Sequence, residues 1–191
     1  MPRSNYHRDT DNPFFLKLRA RLPVTKVLAL YKFSKLSKVQ HLLHSLKYRS
    51  HPEIGIALGR IYGDELLTID LHNEIDLIVP VPLHGKRKRE RGYNQSEQFG
   101  RGLSEILGVD CSDEVIRRVI RTETQTRRTK LQRWMNVREG FEVAQPDKVM
   151  GKRILLIDDV ITTGATIEAC GEELVKGGCK ELSIGCIAAA Q

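Results

Sequence analysis

Ile154-Leu155-Leu156-Ile157-Asp158-Asp159-Val160-Ile161-Thr162-Thr163-Gly164-Ala165-Thr166 is the stretch on which the fold turns. Its unbroken apolar start suits a strand buried on both faces, as in a parallel sheet. Two acids follow, then a bend rich in threonine and glycine, then a helical pattern from Thr166 to about Lys176. A bend of this kind presents backbone N–H groups at a helix N-terminus, where partial positive charge accumulates. Thr162, Thr163 and Thr166 add hydroxyl donors, and Gly164 lets the backbone curl close to a phosphate. Asp158 and Asp159 only accept hydrogen bonds when ionised, so they suit vicinal hydroxyls such as those of a ribose. A phosphate cradle beside paired hydroxyl acceptors describes a ribose 5-phosphate site at the C-terminal edge of a parallel sheet. A plain capped helix accounts for one threonine but not for the two acids, the other threonines and the glycine. The chain has no Gly-Lys-Ser/Thr phosphate loop, and Gly100-Arg101-Gly102 lacks the third glycine, at 105, of a dinucleotide fingerprint.

Working outward, strands alternate with helices, which predicts an α/β protein with a mainly parallel central sheet. Arg153–Ile157 and Leu182–Ala189 read as buried strands. Asp76-Leu77-Ile78-Val79-Pro80-Val81-Pro82 reads as another that stops at its prolines. Helices are predicted from Asn94 to Leu107, from Lys38 to about Tyr48 with Ser37 as cap, and from Pro52 to about Leu66. Val27–Phe33 reads as a short strand, Glu114–Ile120 as an alternating one and Phe141–Val143 as a third. Lys86–Arg91 and Thr122–Val137 read as loops, and residues 1–22 as irregular or loosely attached. The expected organisation is an N-terminal extension over 1–70 and a principal domain over 71–191.

The 191 residues are 40% hydrophobic, enough for a core, and no apolar run approaches a membrane span. Without a signal peptide the expectation is a cytoplasmic protein with reduced thiols at Cys111, Cys170, Cys179 and Cys186. No C-x-x-C pair points to a zinc ribbon, and three of the thiols are expected in the core. His41 and His44, three apart on one helix, lack the further ligands that a zinc site needs. The net charge of +7 is unevenly placed. Lys86–Arg91 and Arg117–Arg138 together hold 13 basic residues against 2 acids, while the remaining chain holds 18 against 22. Such focusing suits a polyanion gripped at one place.

Beyond these readings, the Ile154–Thr166 segment resembles the phosphoribosyl-pyrophosphate signature of type I phosphoribosyltransferases. Val79-Pro80-Val81-Pro82-Leu83-His84, Arg91-Gly92-Tyr93-Asn94-Gln95-Ser96 and Arg127–Asn136 make the stretch from about Val27 to Ala190 similar to the ComF/GntX family of competence-associated phosphoribosyltransferase-like proteins. The helical segment with Val39–His44 and Leu46-Lys47-Tyr48 resembles the part that precedes the transferase domain in that family. Many ComF-like proteins begin with a four-cysteine zinc module. No cysteine precedes residue 111 here, so nothing is carried over from that module.

The resemblance implies a type I phosphoribosyltransferase fold with a small N-terminal helical and strand extension. It implies binding of phosphoribosyl pyrophosphate with Mg2+, and glycosyltransferase chemistry in which a nitrogen nucleophile displaces pyrophosphate from C1. By resemblance, Thr162, Thr163, Gly164, Ala165 and Thr166 hold the 5-phosphate, Val160 and Ile161 belong to the same substrate-binding segment, and Asp158 and Asp159 hold the ribose hydroxyls. Leu83 and His84 belong to the pyrophosphate loop, with His84 a candidate proton donor to the leaving group. Arg87, Arg89 and Arg91 are candidate clamps, and Arg127, Arg128 and Lys130 a lid. Mg2+ would be held mainly through the ligand. The alternatives are a non-catalytic competence factor that binds single-stranded DNA, which the family's association with DNA uptake and the two basic segments favour while the sparse aromatics speak against a stacking groove, and a nucleotide-sensing regulator. A homodimer is the expected assembly.

Overall fold

A computed structural model describes residues 1–9, 11–48, 51–122 and 137–190 of the chain. The Thr122–Val137 loop reading, and with it Arg127, Arg128 and Lys130, falls almost wholly outside the described residues. β1 (Val24–Phe33), β6 (Glu181–Ala190), β5 (Arg153–Ile161) and β2 (Leu77–Pro80) form one sheet in that spatial order. All three pairings are parallel, as the alternation of strands and helices predicts. β5 runs further than its apolar start, because Asp158, Val160 and Ile161 keep register with Cys186, Ala188 and Ala189 of β6. The acids therefore sit on the rigid end of a central strand and not on a loop. The β2 edge is covered by residues 110–112, where Ile78 N donates to Asp110 O at 2.8 Å and Ser112 N to Ile78 O at 3.0 Å.

Both faces of the sheet are covered, which is why its strands are apolar on both sides. On one face lie α2 (Lys38–Tyr48), α3 (Pro52–Leu67) and α5 (Gln95–Leu107), burying Val39, Leu43, Leu46, Leu58, Tyr62 and Phe99 against Leu155 and Ile157. On the other lie α1 (Pro13–Arg19) and α6 (Ala165–Lys176), burying Phe14, Leu18, Ile167, Cys170 and Leu174 against Ile154 and Leu156. The helices α3 and α5 cross closely. A Cβ on Gly59 would lie 2.2 Å from the Phe99 carbonyl oxygen, and one on Gly102 would lie 2.1 Å from that of Ile56. That approach sets the height of α5 and hence of the residues at its start.

Several expectations need correction. Residues 1–22 are neither irregular nor loose. Asn12 caps α1, its Oδ1 accepting from Phe15 N at 3.1 Å while its Nδ2 donates to Val27 O at 2.9 Å. Ser4 N and Lys32 N tie the chain start to β1 through Leu30 O and Pro2 O, both at 3.1 Å. Tyr6, Phe14, Phe15, Leu18 and Leu22 were scattered in sequence but converge on the sheet. The sheet also runs across the expected division at residue 70, since β1 pairs with β6 along its length. Lys86–Arg91 is not a loop but most of a short helix, α4 (Gly85–Arg91). Lys, Arg and Glu are good helix formers, and no glycine or proline interrupts them. Cys170 and Cys186 are buried, whereas Cys111 and Cys179 are half-buried, and all four are free thiols. Outside the sheet, β3 (Ile116–Thr122) and β4 (Val137–Val143) pair antiparallel. No described helix is long and apolar enough to cross a membrane.

Candidate functional site

Parallel sheets present ligands at the carboxyl ends of their strands, where helix N-termini also gather. Here the ends of β2 and β5 stand side by side, extended by Val81 N donating to Ile157 O at 2.9 Å. The opening between them is a cavity of about 210 Å3. Leu83, Arg87, Arg91, Asp158, Asp159, Val160 and Thr166, all expected in the site, line it together. Val81, Pro82, Lys47, Asn94, Gln95, Ser96 and Arg118 complete the lining and were not assigned a site role from sequence.

Each polar residue is placed by a specific contact. Asn94 caps α5, its Oδ1 accepting from Ser96 N at 3.2 Å, and its Nδ2 donates to Val81 O at 2.9 Å. The start of α5 is thereby fixed to the turn after β2. Ser96 then donates its hydroxyl to Asp158 Oδ1 at 3.0 Å, and Asp159 N donates to the same oxygen at 2.8 Å. Asp159 Oδ2 pairs with Lys47 Nζ at 2.7 Å. Arg87 and Arg91 are four apart on α4, so the helix turns both toward the cavity, while Arg89 is exposed on another face. Arg91 Nη1 donates to Gln95 Oε1 at 3.0 Å, which orients the amide. The Gln95 Nε2 donor is then buried without a partner among the described residues. A buried donor left unmade is costly, so it marks a place where an acceptor oxygen is expected. Arg118 arrives from β3, its guanidinium 4.8 Å over the Phe141 ring and its Nε 3.4 Å from Pro82 O. Arg118 of the second basic segment thus meets Arg87 and Arg91 of the first at one cavity.

The electrostatics of the acid pair are asymmetric. Burial pushes the Asp158 carboxyl up to about 7, and the neighbouring Asp159 charge pushes the same way. The Asp159 N–H, the Ser96 hydroxyl and Lys47 oppose the rise without cancelling it. Proximity of two carboxylates is the arrangement in which one resists ionisation. Raised acids of this kind concentrate in clefts that bind or react.

The bend after β5 lies at the surface. Thr162, Thr163, Ala165 and Thr166 are exposed, and Ile161 and Gly164 are buried. Gly164 has φ of 87°, the left-handed conformation that glycine adopts without strain, and it starts α6. The bend also separates two hollows. Thr166 faces the cavity above, but Thr162 faces a second hollow with Tyr6, Phe14 and Lys17. His84 is half-buried and does not line the cavity. Among the described residues no three His, Cys, Asp or Glu side chains gather to hold a metal ion.

The phosphoribosyl transferase domain family matches residues 50–191, which contain the acid pair, the bend, α4 and the start of α5. The chain belongs to the ComF family of phosphoribosyltransferase-like proteins. Among its relatives, the DNA utilization protein YhgH of Salmonella typhi is 32% identical over 149 residues, covering 76% of this chain and 65% of that protein. Competence protein F of Haemophilus influenzae is 34% identical over 116 residues, covering 60% of this chain and 51% of that protein. Competence protein ComFC of Bacillus subtilis is 27% identical over 164 residues, covering 85% of this chain and 63% of that protein. The matches thus span between about half and two thirds of the length of these relatives. The α/β architecture above is the type I phosphoribosyltransferase fold expected for this ComF-family chain. Ser96 and Lys47 lie in segments whose family resemblance is visible in sequence. Nothing in sequence, however, indicates that their side chains converge on the acid pair.

Proposed function

We propose that this ComF-family chain binds phosphoribosyl pyrophosphate with Mg2+ in the cavity between β2 and β5 and transfers the phosphoribosyl group to a nitrogen acceptor. One observation carries the reading: Thr166 of the exposed bend, the acid pair and arginines from two separate basic segments line a single opening at the sheet edge. In this reading the first-turn N–H groups of α6 and the Thr163 and Thr166 hydroxyls hold the 5-phosphate. Asp158 and Asp159 each keep one oxygen free of protein partners among the described residues, one for each vicinal hydroxyl. Arg87, Arg91 and Arg118 face the diphosphate as charge-assisted donors. The nitrogen attacks C1, the C1–O bond breaks, and pyrophosphate departs with the bonding electrons. Negative charge grows on the leaving group, so fixed arginines stabilise the transition state more than the ground state. The magnesium ion would supply further neutralisation of that charge when bound.

The names of the relatives place them in DNA utilization and competence. A ComF-like role in handling incoming DNA is the biological setting we infer for this chain. The cation surplus at the cavity favours a second reading, a single-stranded DNA end seated at the same sugar-phosphate site. Calorimetric titration with phosphoribosyl pyrophosphate and Mg2+ tests the first reading. Micromolar binding that excludes a 5-phosphorylated oligonucleotide supports one shared site. No heat at millimolar ligand overturns the phosphoribosyl pyrophosphate reading.

A further inference from the structure

Lys47 lies outside the residues 50–191 that the transferase family covers, at the C-terminal end of α2. Its ammonium nevertheless reaches the acid pair, 2.7 Å from Asp159 Oδ2, with side-chain exposures of only 23% and 12%. This is a built position. Val39, Leu43 and Leu46 bury α2 in the core, and the Tyr93 hydroxyl donates to the Leu46 carbonyl oxygen next to the lysine. Tyr93 belongs to the same turn as Asn94 and Gln95, so one short segment places α2, the cap of α5 and the amide of Gln95 together. Holding a long flexible side chain half-buried costs rotamer freedom, which an exposed ion pair rarely repays.

An ammonium has three donors, and Asp159 takes one. The others belong to an atom that lines the cavity. Their target follows from the layering of the fold. The α6 N-terminus, which would hold the 5-phosphate, comes from the face that buries Ile167 and Leu174. Lys47 comes from the opposite face, with Val39 and Leu46. A sugar spanning the acid pair between them would present its other anionic group, the one at C1, to Lys47.

We propose that Lys47 is a ligand-binding residue of this site: it holds Asp159 as an oriented hydroxyl acceptor and donates its remaining N–H groups to the C1 diphosphate of a phosphorylated sugar. The inference rests on the phosphoribosyl pyrophosphate reading given above. The helical segment before the transferase domain then completes the site, and residues 50–191 by themselves lack one of its cations.

The test compares two ligands on the whole chain. Phosphoribosyl pyrophosphate and ribose 5-phosphate share the sugar and the 5-phosphate but differ in the diphosphate. Lys47→Met is expected to weaken the first about 50-fold and the second about 3-fold, since a lost charge-assisted contact is worth more than a disturbed acceptor. Lys47→Arg restores binding of the diphosphate ligand to within about 5-fold of the parent, because it keeps the charge. Thermal melting confirms that the variants fold, and Lys47→Gln replaces the methionine variant if that one does not. Equal losses on the two ligands, or diphosphate binding within about 2-fold of the parent, overturn the role of Lys47 and leave the site reading standing. A parent protein that binds neither ligand overturns the site reading itself.

Discussion

Strand β5 carries charge at both of its ends, and the two ends handle it in opposite ways. At its start Arg153 grips Asp76, the residue preceding β2, through Nη2–Oδ1 at 2.6 Å and Nε–Oδ2 at 3.1 Å. Arg153 N adds a bond to Asp76 Oδ2 at 2.8 Å, and Arg153 Nη1 donates to Asn73 O at 2.6 Å. These contacts hold the Asp76 carboxyl down at about 2, chiefly through the guanidinium hydrogen bonds. At its finish Asp158 is pushed up to about 7, Asp159 shares one lysine, and Arg87, Arg91 and Arg118 face the cavity. One end is a closed ion pair that joins two strands. The other gathers three arginines, one lysine and the two acids around a single cavity. Cavities at the carboxyl ends of parallel strands are where such sheets bind their ligands.

The largest expected effect separates the ends by function. Asp158→Asn/Asp159→Asn should weaken phosphoribosyl pyrophosphate binding by about 100-fold or more, since two acceptors of sugar hydroxyls are changed together. Melting temperature should hold or rise in that variant, because a buried pair of like charges is relieved. Calorimetry and thermal melting on the same samples check both. A large loss of stability with intact binding would reverse the assignment of the two ends.

Next in size is the removal of the cavity cations. Arg87→Ala/Arg91→Ala should weaken the same ligand by about 10- to 30-fold and flatten the salt dependence of its binding, as charge-assisted contacts are lost. The exposed Arg89→Ala should leave binding within about 2-fold. Equal losses in the two variants would mean that α4 acts only as a diffuse basic patch.

How much of this was legible in the sequence follows from the kind of signal each part leaves. The apolar run Ile154–Ile157, the acids and the Thr-Gly bend are contiguous, so strand, acid pair and helix start could be read directly. The Arg87 and Arg91 spacing is visible too, but α4 holds no apolar residue, so it leaves no amphipathic period in the sequence. Ser96 and Lys47 could not be placed, since the contacts that bring them to Asp158 and Asp159 cross 62 and 112 positions of chain and depend on helix packing. Phe14, Phe15 and Leu18 have no long periodic pattern around them, so the seating of α1 emerges only once the sheet exists to receive it. Thr162 shows the limit of the contiguous signal. It lies four residues before Thr166 in the motif yet faces a different hollow, because the chain turns between the two cavities.

The pH response sharpens the contrast between the ends. Asp158 is raised above its unfolded value, so its contribution is fully favourable below about 4 and is lost as pH rises toward 7. Asp76 is depressed, so its contribution is present above about 4 and is lost as pH falls toward 2. Asp158→Asn should therefore melt higher than the parent at pH 8, with the gap closing toward pH 4. Asp76→Asn should melt a few degrees lower at pH 7, with the gap closing toward pH 2. Binding of phosphoribosyl pyrophosphate should weaken as Asp158 takes up its proton below about 7 in the parent, and Asp76→Asn should leave that binding unchanged. This last effect is the smallest, and any loss of affinity there would mean that the two ends of β5 are coupled.

The central claim is that a sugar phosphate lies across the acid pair with its 5-phosphate at the start of α6. A crystal structure of the chain with phosphoribosyl pyrophosphate and Mg2+ tests it most directly. The account predicts 5-phosphate density against the N–H groups of the Thr163–Thr166 bend, ribose hydroxyls on Asp158 and Asp159, and diphosphate toward Arg87 and Arg91. Ligand bound elsewhere, with the acid pair still closed on Lys47 and Ser96 alone, would contradict it.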